Sequence, residues 1–457
     1  MYRIPNDQEE ITLTDISDFI SKHNSDVTCK YQPLLDSYMT RYPILTRPPK
    51  AEKWKPDKRI AVNYAKYIVD TFNGFFAGIP VKVMCNEDAR VSDYVNLVNS
   101  YNNSDDEISE LAKMCDIYGH AYEMYYVNES GDIAFVQCSP IDAFMIYDDS
   151  VIPEPRYFVR TYIDADGMLR GSISDSRRVR WFYQAGGLHW DGEEKLHGFD
   201  GVPAVEFLEN EERQSIFAPV MTMINEYNDA ISEKANDVDY FADAYLKILG
   251  AALDNDTLCA IRDNRIINFE GNDVSDLVVE FLEKPNGDET QEHLLDRLER
   301  QIYQIAMVAN ISDENFGTSS GIAMRYKLQA MSNMAASKQR KFQAGLNKRY
   351  KLIFSNPVSG MRADDWVKLS YQFSLNLPAN LLEETQIAQG LTGIVSQKTQ
   401  LSVLSIVDNV QQEIDQIKQD EEDALTDGYP MNRTAETTEV YDGRGNLLDV
   451  IRTLEDD

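Results

Sequence analysis

One long stretch of helical periodicity constrains this chain most. Between Pro219 and Gly250 the sequence contains neither glycine nor proline, and apolar residues recur at steps of mostly three, four or seven. The spacing predicts a single helix over residues 216–249 with a narrow apolar stripe. Helices of compact domains average only about 11–12 residues, so this one indicates an elongated part of the fold. The stripe consists of Val220, Ile224, Tyr227, Ile231, Val238, Phe241, Tyr245 and Ile248.

A second helix of the same kind is predicted over residues 290–311. Between the two helices, the strand-like runs IINFEG and LVVEFLE predict a small α/β insertion. The simplest geometry is an antiparallel helix pair with this insertion at its far end. One thin hairpin cannot bury two narrow stripes, so we expect neighbouring copies of the chain to cover them. The second stripe consists of Leu294, Leu295, Leu298, Ile302, Ile305 and Val308.

The remaining sequence predicts an α+β fold. Between residues 122 and 207, short runs rich in aromatic and branched residues predict antiparallel strands joined by turns: YEMYYV, DIAFVQ, RYFVRTY, RVRWFY and AVEFL. The turns lie at residues 129–132, 164–167 and 185–187, where Gly, Asp and Ser are frequent. Helices are expected near residues 60–78, 92–118, 321–354 and 381–423, strands near 79–83 and 366–378, and a polar, acidic tail after them.

Charge is distributed unevenly along the chain. The net charge of −32 repels phosphate and argues against a simple nucleic-acid binder. Residues 315–363 nevertheless contain no acidic residue and nine basic ones, mostly in the predicted helix 321–354. Two interpretations remain open. The basic residues pair with acidic surfaces of their own chain or of a neighbouring copy, or some of them face phosphates.

The sequence contains no catalytic signature. A phosphate-binding loop, a G-x-S-x-G elbow and an H-E-x-x-H helix are all absent. The five histidines and five cysteines are scattered without a C-x-x-C pair, so we predict no metal site, no cofactor and no disulfide framework. The most apolar span, residues 67–84, contains Asp70, Pro80 and Lys82, so we expect no membrane partner.

Four segments carry a family resemblance: residues 63–83, 201–251, 317–346 and 373–404. The third, for example, is GTSSGIAMRYKLQAMSNMAASKQRKFQAGL. Together, and in this order, they resemble the portal proteins of tailed bacteriophages, in particular those of long-tailed phages of Gram-positive bacteria. No segment alone is diagnostic, and residues 1–55 and the tail are weakly covered.

The resemblance implies an elongated portal fold that forms a ring of about twelve subunits. The ring would have an antiparallel, β-rich wing, long stem helices, a small α/β clip and a helical crown. Its parts would be 1–215, first part of the wing; 216–249, stem helix; 250–289, clip; 290–311, stem helix; 312–320, tunnel loop; 321–379, second part of the wing with the long basic helix and a strand; 380–425, crown; and 426–457, acidic tail.

The resemblance also implies where DNA would pass. The tunnel loop would bring Asp313, Glu314 and Asn315 close to the axis of the ring, where an acidic tip suits weak contact with sliding DNA. A solvated turn is the alternative for these three residues. The basic helix would contact a neighbouring subunit or DNA through Arg325, Lys327, Lys338, Arg340, Lys341, Lys348 and Arg349.

The implied function is that of a non-enzymatic portal subunit at one capsid vertex, which admits double-stranded DNA during packaging and releases it during ejection. Implied partners are the terminase, the major capsid and scaffolding proteins and a head-completion adaptor. Assembly would take place in the host cytoplasm, and the mature protein would be part of the virion. Charge reversal at Lys338, Arg340 and Lys341 would impair assembly or packaging. The alternatives are another oligomeric head component without a DNA channel and a metal-dependent nucleic-acid enzyme.

Overall fold

The computed structural model divides the chain into two units, residues 1–376 and 377–457. Most of the predicted clip and the whole predicted tunnel loop lie outside the described residues. The structure describes the chain except for residues 9, 52–55, 86, 243–245, 250–277, 282–287, 312–320, 377–380, 405, 408–409, 427–435, 442–446 and 454–457.

The helices of the first unit begin near the N-terminus and continue to residue 355. A short π-helical turn, Val27–Tyr31, connects the first two of them. In chain order they are α1 Leu13–Asp26, α2 Gln32–Tyr38, α3 Pro43–Thr46, α4 Tyr64–Ala77, α5 Ala89–Tyr101, α6 Ser104–Tyr118, α7 Met221–Ala242, α8 Asp288–Ala306, α9 Gly321–Lys327 and α10 Gln329–Ser355.

In the described part of the first unit, the strands form four sheets. The largest has the order β1-β5-β6-β7-β8-β9 and is antiparallel apart from the β1–β5 pair, and a second has the order β10-β3-β4. Two further antiparallel pairs are β2 with β13 and β11 with β12. The strands are β1 Tyr2–Ile4, β2 Lys82–Met84, β3 His120–Val127, β4 Ile133–Cys138, β5 Ala143–Asp148, β6 Pro155–Ile163, β7 Leu169–Ser174, β8 Arg178–Gln184, β9 Leu188–Leu196, β10 Ala204–Leu208, β11 Leu246–Leu249, β12 Val278–Phe281 and β13 Ser370–Gln372.

The second unit contains both helices and a hairpin. Its helices are α11 Leu381–Gly390, α12 Gln397–Leu401 and α13 Val410–Thr426. The strands β14 Glu436–Tyr441 and β15 Leu447–Thr453 pair in antiparallel fashion, where the sequence predicted only a polar tail. The expected mixture of helices and sheets is therefore confirmed.

Short polar residues set several helix boundaries. Thr12 and Asp15 form a capping box at the start of α1, and Asn63 accepts a hydrogen bond from the Lys66 amide at the start of α4. The predicted helical stretch 92–118 is two helices, α5 and α6, because Asn103 between them adopts a left-handed conformation with a φ of 48°. Asparagine tolerates this conformation better than most residues.

The helix α10 lies in the main core and packs directly on β10. It runs unbroken through Gly345. A Cβ atom at this position would lie 2.6 Å from the Phe207 ring, so glycine permits the close approach of helix and strand. Three large side chains on the same face, Phe342, Leu346 and Tyr350, are fully buried.

The two long helices are antiparallel, as predicted. The rings of Tyr227 on α7 and Tyr303 on α8 both contact Tyr64, at centroid distances of 5.0 and 5.7 Å. Further along α7, Lys234 pairs with Glu292 near the start of α8. A contact nearer the C-terminus of α7 therefore lies nearer the N-terminus of α8, as in an antiparallel pair.

The predicted ends of these helices are wrong. Residues Leu246–Leu249 are not helical but form β11, which pairs with Val278–Phe281. Local periodicity could not reveal this pairing, because the partner strand is distant in sequence. The second helix ends at Ala306 rather than 311, since Met307 adopts a φ of 55° that breaks the helix.

Candidate functional site: the basic helix and the paired helices

The predicted DNA-contacting loop lies outside the described residues. This applies to Asp313, Glu314 and Asn315, whose role therefore stays a prediction. The described features that bear on function are the basic helix, α9 with α10, and the antiparallel pair α7 and α8.

Lys338 lies at the centre of a buried ionic triad. Its Nζ is 2.5 Å from Asp116 Oδ1 and 2.9 Å from Glu209 Oε2, and it donates to the Ala112 carbonyl at 3.1 Å. The side chains of Lys338 and Asp116 are fully buried, and that of Glu209 is almost so. Phe72 is among the aromatic rings that line the ammonium, at 5.1 Å from its centroid.

Electrostatics in this triad keep the lysine charged. Burial alone would lower the pKa of Lys338, but Asp116 and Glu209 outweigh that effect and raise it. Burial raises the pKa of Asp116 well above its ordinary value. The positive charge of Lys338 lowers this pKa in part, whereas the nearby Glu209 carboxylate raises it further. Two carboxyl groups thus depend on one cation in an interior that excludes water.

Arg349, near the end of α10, forms a second buried ion pair. Its Nη2 and Nε lie 2.6 and 2.9 Å from the two carboxylate oxygens of Glu123, and its Nη1 donates to Ser104 Oγ at 3.1 Å. The Tyr125 hydroxyl donates to the same carboxylate. The guanidinium also stacks 4.8 Å from the centroid of Phe135. A planar, bidentate pair of this kind joins α10 to β3.

These contacts separate the two interpretations of the basic helix. Lys338 and Arg349 are 0% exposed and pair with carboxylates of their own chain, as one interpretation expected, so their assignment to a subunit interface or to DNA is wrong. Their charges are neutralised by carboxylates of the same chain, and so is that of the half-buried Lys341, which pairs with Glu211. Charge reversal at Lys338 would therefore test folding rather than assembly.

The other basic residues of the prediction remain on the surface. Arg325, Lys327, Arg340 and Lys348 are exposed along α9 and α10. Their assignment to a neighbouring subunit or to DNA stays a prediction.

The sequence did contain a signal for the two buried charges. The buried residues of α10 include Met331, Ala335, Lys338, Phe342, Leu346, Arg349 and Ile353, at steps of three or four. Lys338 and Arg349 thus continue the apolar stripe of the helix. A charge within such a stripe predicts a buried partner more strongly than a contact with solvent or DNA.

The paired helices bury part of their predicted stripes and expose the rest. On α7, Ile224 is buried while Val238 is 64% exposed. On α8, Ile302 is buried while Leu294 and Ile305 are 43% and 41% exposed. The single chain therefore leaves large apolar side chains of both helices in contact with solvent.

His120, at the start of β3, is a buried titratable group that the sequence did not single out. It is 3% exposed, and its Nε2 lies 3.5 Å from the Tyr31 hydroxyl. Burial lowers its pKa to about 4, although the Glu206 carboxylate nearby opposes the effect. The folded protein thus keeps this imidazole neutral at pH 7.

The His120 environment predicts a loss of stability in mild acid. A histidine in the unfolded chain has a pKa near 6.5, so the unfolded chain binds a proton first as the pH falls from 6.5 through 4. Between pH 7 and pH 5 this linkage should cost the wild type roughly 2 kcal/mol more than the His120→Gln variant. Urea unfolding of both proteins at the two pH values measures the difference. Equal losses in both proteins would contradict a buried neutral His120.

The described residues contain neither a candidate metal centre nor a candidate membrane helix. Among the described residues, no group of three or more His, Cys, Asp or Glu side chains could hold a metal ion. Within the same part of the chain, no helix is both long enough and apolar enough to span a membrane.

Comparison with known proteins gives the family. The profile described as phage portal protein, SPP1 Gp6-like, matches residues 17–427. The portal protein of Clostridium phage phiCD119 is 23% identical over 385 residues, which cover 78% of this chain and 83% of that protein. A chain from a solved structure described as the neck of an empty GTA particle, computed with C6 symmetry, has 12% identity and a TM-score of 0.43, and the match covers 80% of this chain and 93% of that one. Because the profile matches most of the sequence, the chain belongs to the SPP1 Gp6-like family of phage portal proteins.

Proposed function

We propose that this chain is a subunit of a ring at one vertex of a phage capsid, through which double-stranded DNA enters during packaging and leaves during ejection. The observation that carries the proposal is the family match over residues 17–427. Phage portal proteins are structural components of the virion and not enzymes. A ring of about twelve copies is the size that the family suggests.

The exposed apolar side chains of the paired helices support assembly. Val238, Leu294 and Ile305 lie on slender helices that their own chain covers on one side only. In a closed ring, each subunit contacts the neighbour on one side through one face and the neighbour on the other side through a different face. Every copy is therefore covered on both sides. Burial of these side chains between subunits would stabilise the ring through the hydrophobic effect.

The regions of the chain are proposed to correspond to parts of the ring. Residues 1–215 and 321–379 would form the wing, 216–249 and 290–311 the stem, 250–289 the clip, 312–320 the tunnel loop, 380–425 the crown and 426–457 an acidic tail. The clip would dock the terminase and, later, a head-completion adaptor. The wing would face the major capsid and scaffolding proteins. Assembly would occur in the host cytoplasm before the capsid fills.

A channel for moving DNA favours weak contact with phosphates. Each phosphate contact that releases a counterion adds affinity, so a chain with a net charge of −32 limits how firmly DNA is held. At the tip of the tunnel loop, the carboxylates of Asp313 and Glu314 would repel the phosphates, and the neighbouring Asn315 is uncharged. The exposed basic residues Arg340 and Lys348 would instead meet an acidic surface of the next subunit.

Charge reversal on the surface of the basic helix tests this proposal. The Arg340→Glu/Lys348→Glu double variant should fold normally, because both residues are exposed. It should lower the yield of DNA-filled heads on the order of ten-fold or more, since like charges placed together at an interface cost several kcal/mol. The measurement is a count of DNA-filled heads among the particles from a phage that carries the variant.

The matched control reverses two exposed basic residues elsewhere, Lys22 and Arg177, and should leave the yield near that of the wild type. Equal yields from the wild type and from the Arg340/Lys348 variant, with normal circular dichroism, would show that this surface has no part in assembly or packaging.

A further inference from the structure

The first of the paired helices buries a stripe of polar residues. Asn228, Ser232 and Asn236 are 0%, 0% and 3% exposed, and they lie four residues apart on one face of α7. Polar side chains are buried at a cost unless hydrogen-bond partners receive them. A helix that packed through apolar contacts alone would not place three such residues in its interior face.

The partners of the stripe are backbone groups of residues 58–62. The amide of Val62 donates to Asn228 Oδ1 at 2.7 Å, that of Ile60 to Ser232 Oγ at 2.9 Å, and that of Lys58 to Asn236 Oδ1 at 2.6 Å.

Two of the same side chains also bond carbonyl groups of the segment. Asn236 Nδ2 donates to the Lys58 oxygen at 3.3 Å, and the single hydroxyl proton of Ser232 is shared between the Asn228 oxygen of its own helix at 2.6 Å and the Ile60 oxygen at 3.1 Å. Amides two residues apart in the segment thus bond side chains four residues apart on α7. The segment and the helix run in opposite directions.

The repeat lengths of helix and segment explain this ladder. Four residues of an α-helix rise about 6 Å, and two residues of an extended chain rise about 6.6 Å. The difference of about 0.6 Å at each step is within the tolerance of a hydrogen bond over two steps. Over a longer ladder this difference in length would accumulate, which is consistent with a ladder of only three hydrogen-bonded positions.

The side chains of the segment differ in their surroundings, since Ala61 and Val62 are partly buried against the main core. Lys58 and Ile60 are exposed, although their amides are bonded to the helix. Ion pairs beside the ladder, from Arg47 to Asp229 and from Lys50 to Glu233, are partly exposed and add modestly at most.

We infer that the face of α7 formed by Asn228, Ser232 and Asn236 is a binding site for an extended peptide backbone, which it recognises through alternate amides, and that residues 58–62 occupy it as a clamp on the helix. The clamp fixes which face of α7 turns inward. The site belongs to the folded chain itself and is independent of whether the chain assembles.

Two substitutions at one position separate backbone from side-chain recognition. Ile60→Ala keeps the amide and removes the side chain, whereas Ile60→Pro removes the amide. In hydrogen exchange of the full chain, Ile60→Pro should accelerate exchange at the Lys58 and Val62 amides at least on the order of ten-fold, because the ladder loses its central rung. Ile60→Ala should leave both rates unchanged.

A substitution on the helix keeps the test sound if proline disturbs folding more widely. Ser232→Ala removes the same rung from the other side with a small change of volume. It should accelerate exchange at the amides of Lys58, Ile60 and Val62, with near-native circular dichroism. Exchange at the wild-type rate in Ser232→Ala, or equal acceleration in Ile60→Ala and Ser232→Ala, would overturn the inference.

Discussion

Replacement of Lys338 by methionine should lower the free energy of unfolding by about 3–5 kcal/mol. Methionine fills much of the space of the lysine stem, so the packing against Phe72 and Phe342 changes little. The loss comes from Asp116 and Glu209, which remain buried without the cation that they share. An uncompensated buried carboxylate is far more costly than the net gain from an intact pair.

Urea unfolding of the purified variant measures this effect. The control is Lys341→Met on the same helix, whose pair with Glu211 is exposed and should contribute less than about 1 kcal/mol. Adding Asp116→Asn and Glu209→Gln to Lys338→Met should restore a large part of the stability, because no charge then remains buried. Equal unfolding midpoints for the Lys338 and Lys341 variants would contradict the triad.

Replacement of Arg349 by methionine should have an effect of similar size, about 3–5 kcal/mol. The variant leaves the Glu123 carboxylate in the core, where the Tyr125 hydroxyl remains a donor but the two guanidinium hydrogen bonds are gone. Ser104 also loses its bond to Nη1. The ion pair joins α10 to β3, so its loss should weaken the packing of the basic helix on the sheet.

A second set of variants isolates the charge effect at Arg349. Arg340→Met removes an exposed guanidinium from the same helix and should change stability by no more than about 0.5 kcal/mol. Glu123→Gln combined with Arg349→Met should be more stable than Arg349→Met alone, because it removes the unpaired charge. If the combined variant were less stable than the single one, the main effect at Arg349 would be lost packing rather than an unpaired carboxylate.

The sequence predicted the elements with strong local signals. The period of the long helices, the Gly- and Asp-rich turns at 164–167 and 185–187 and the helix expected near residues 60–78 all correspond to observed features. These signals are local, since helical stripes and turn residues report the conformation of a few neighbouring residues. The antiparallel pairing of α7 and α8 followed from the short insertion between them.

Other elements were missed for physical reasons. Strand β5 is buried along its whole length, so it lacks the alternation that marks a half-buried strand. Strand β9 is mostly exposed and rich in charges, which masks its pairing with β8. The end of α7 was misplaced because the β11–β12 pairing depends on contacts distant in sequence.

The candidate site was predicted only in part. The concentration of basic residues was visible in the sequence, but its meaning depended on the folded position of each charge. Lys338 and Arg349 point inward on the apolar stripe, whereas Arg340 and Lys348 point outward. The carboxylates that pair with Lys338 and Arg349 come from α6, β3 and the end of β10. No sequence pattern connects these distant positions to the helix.

The central claim is that the paired helices complete their burial only between identical subunits. Native mass spectrometry of the full chain, with electron micrographs of the same sample at micromolar concentration, tests it most directly. We expect annular particles whose mass is a multiple of the 52.2 kDa chain. A stable 52.2 kDa monomer with no annular particles at low or high salt would contradict it.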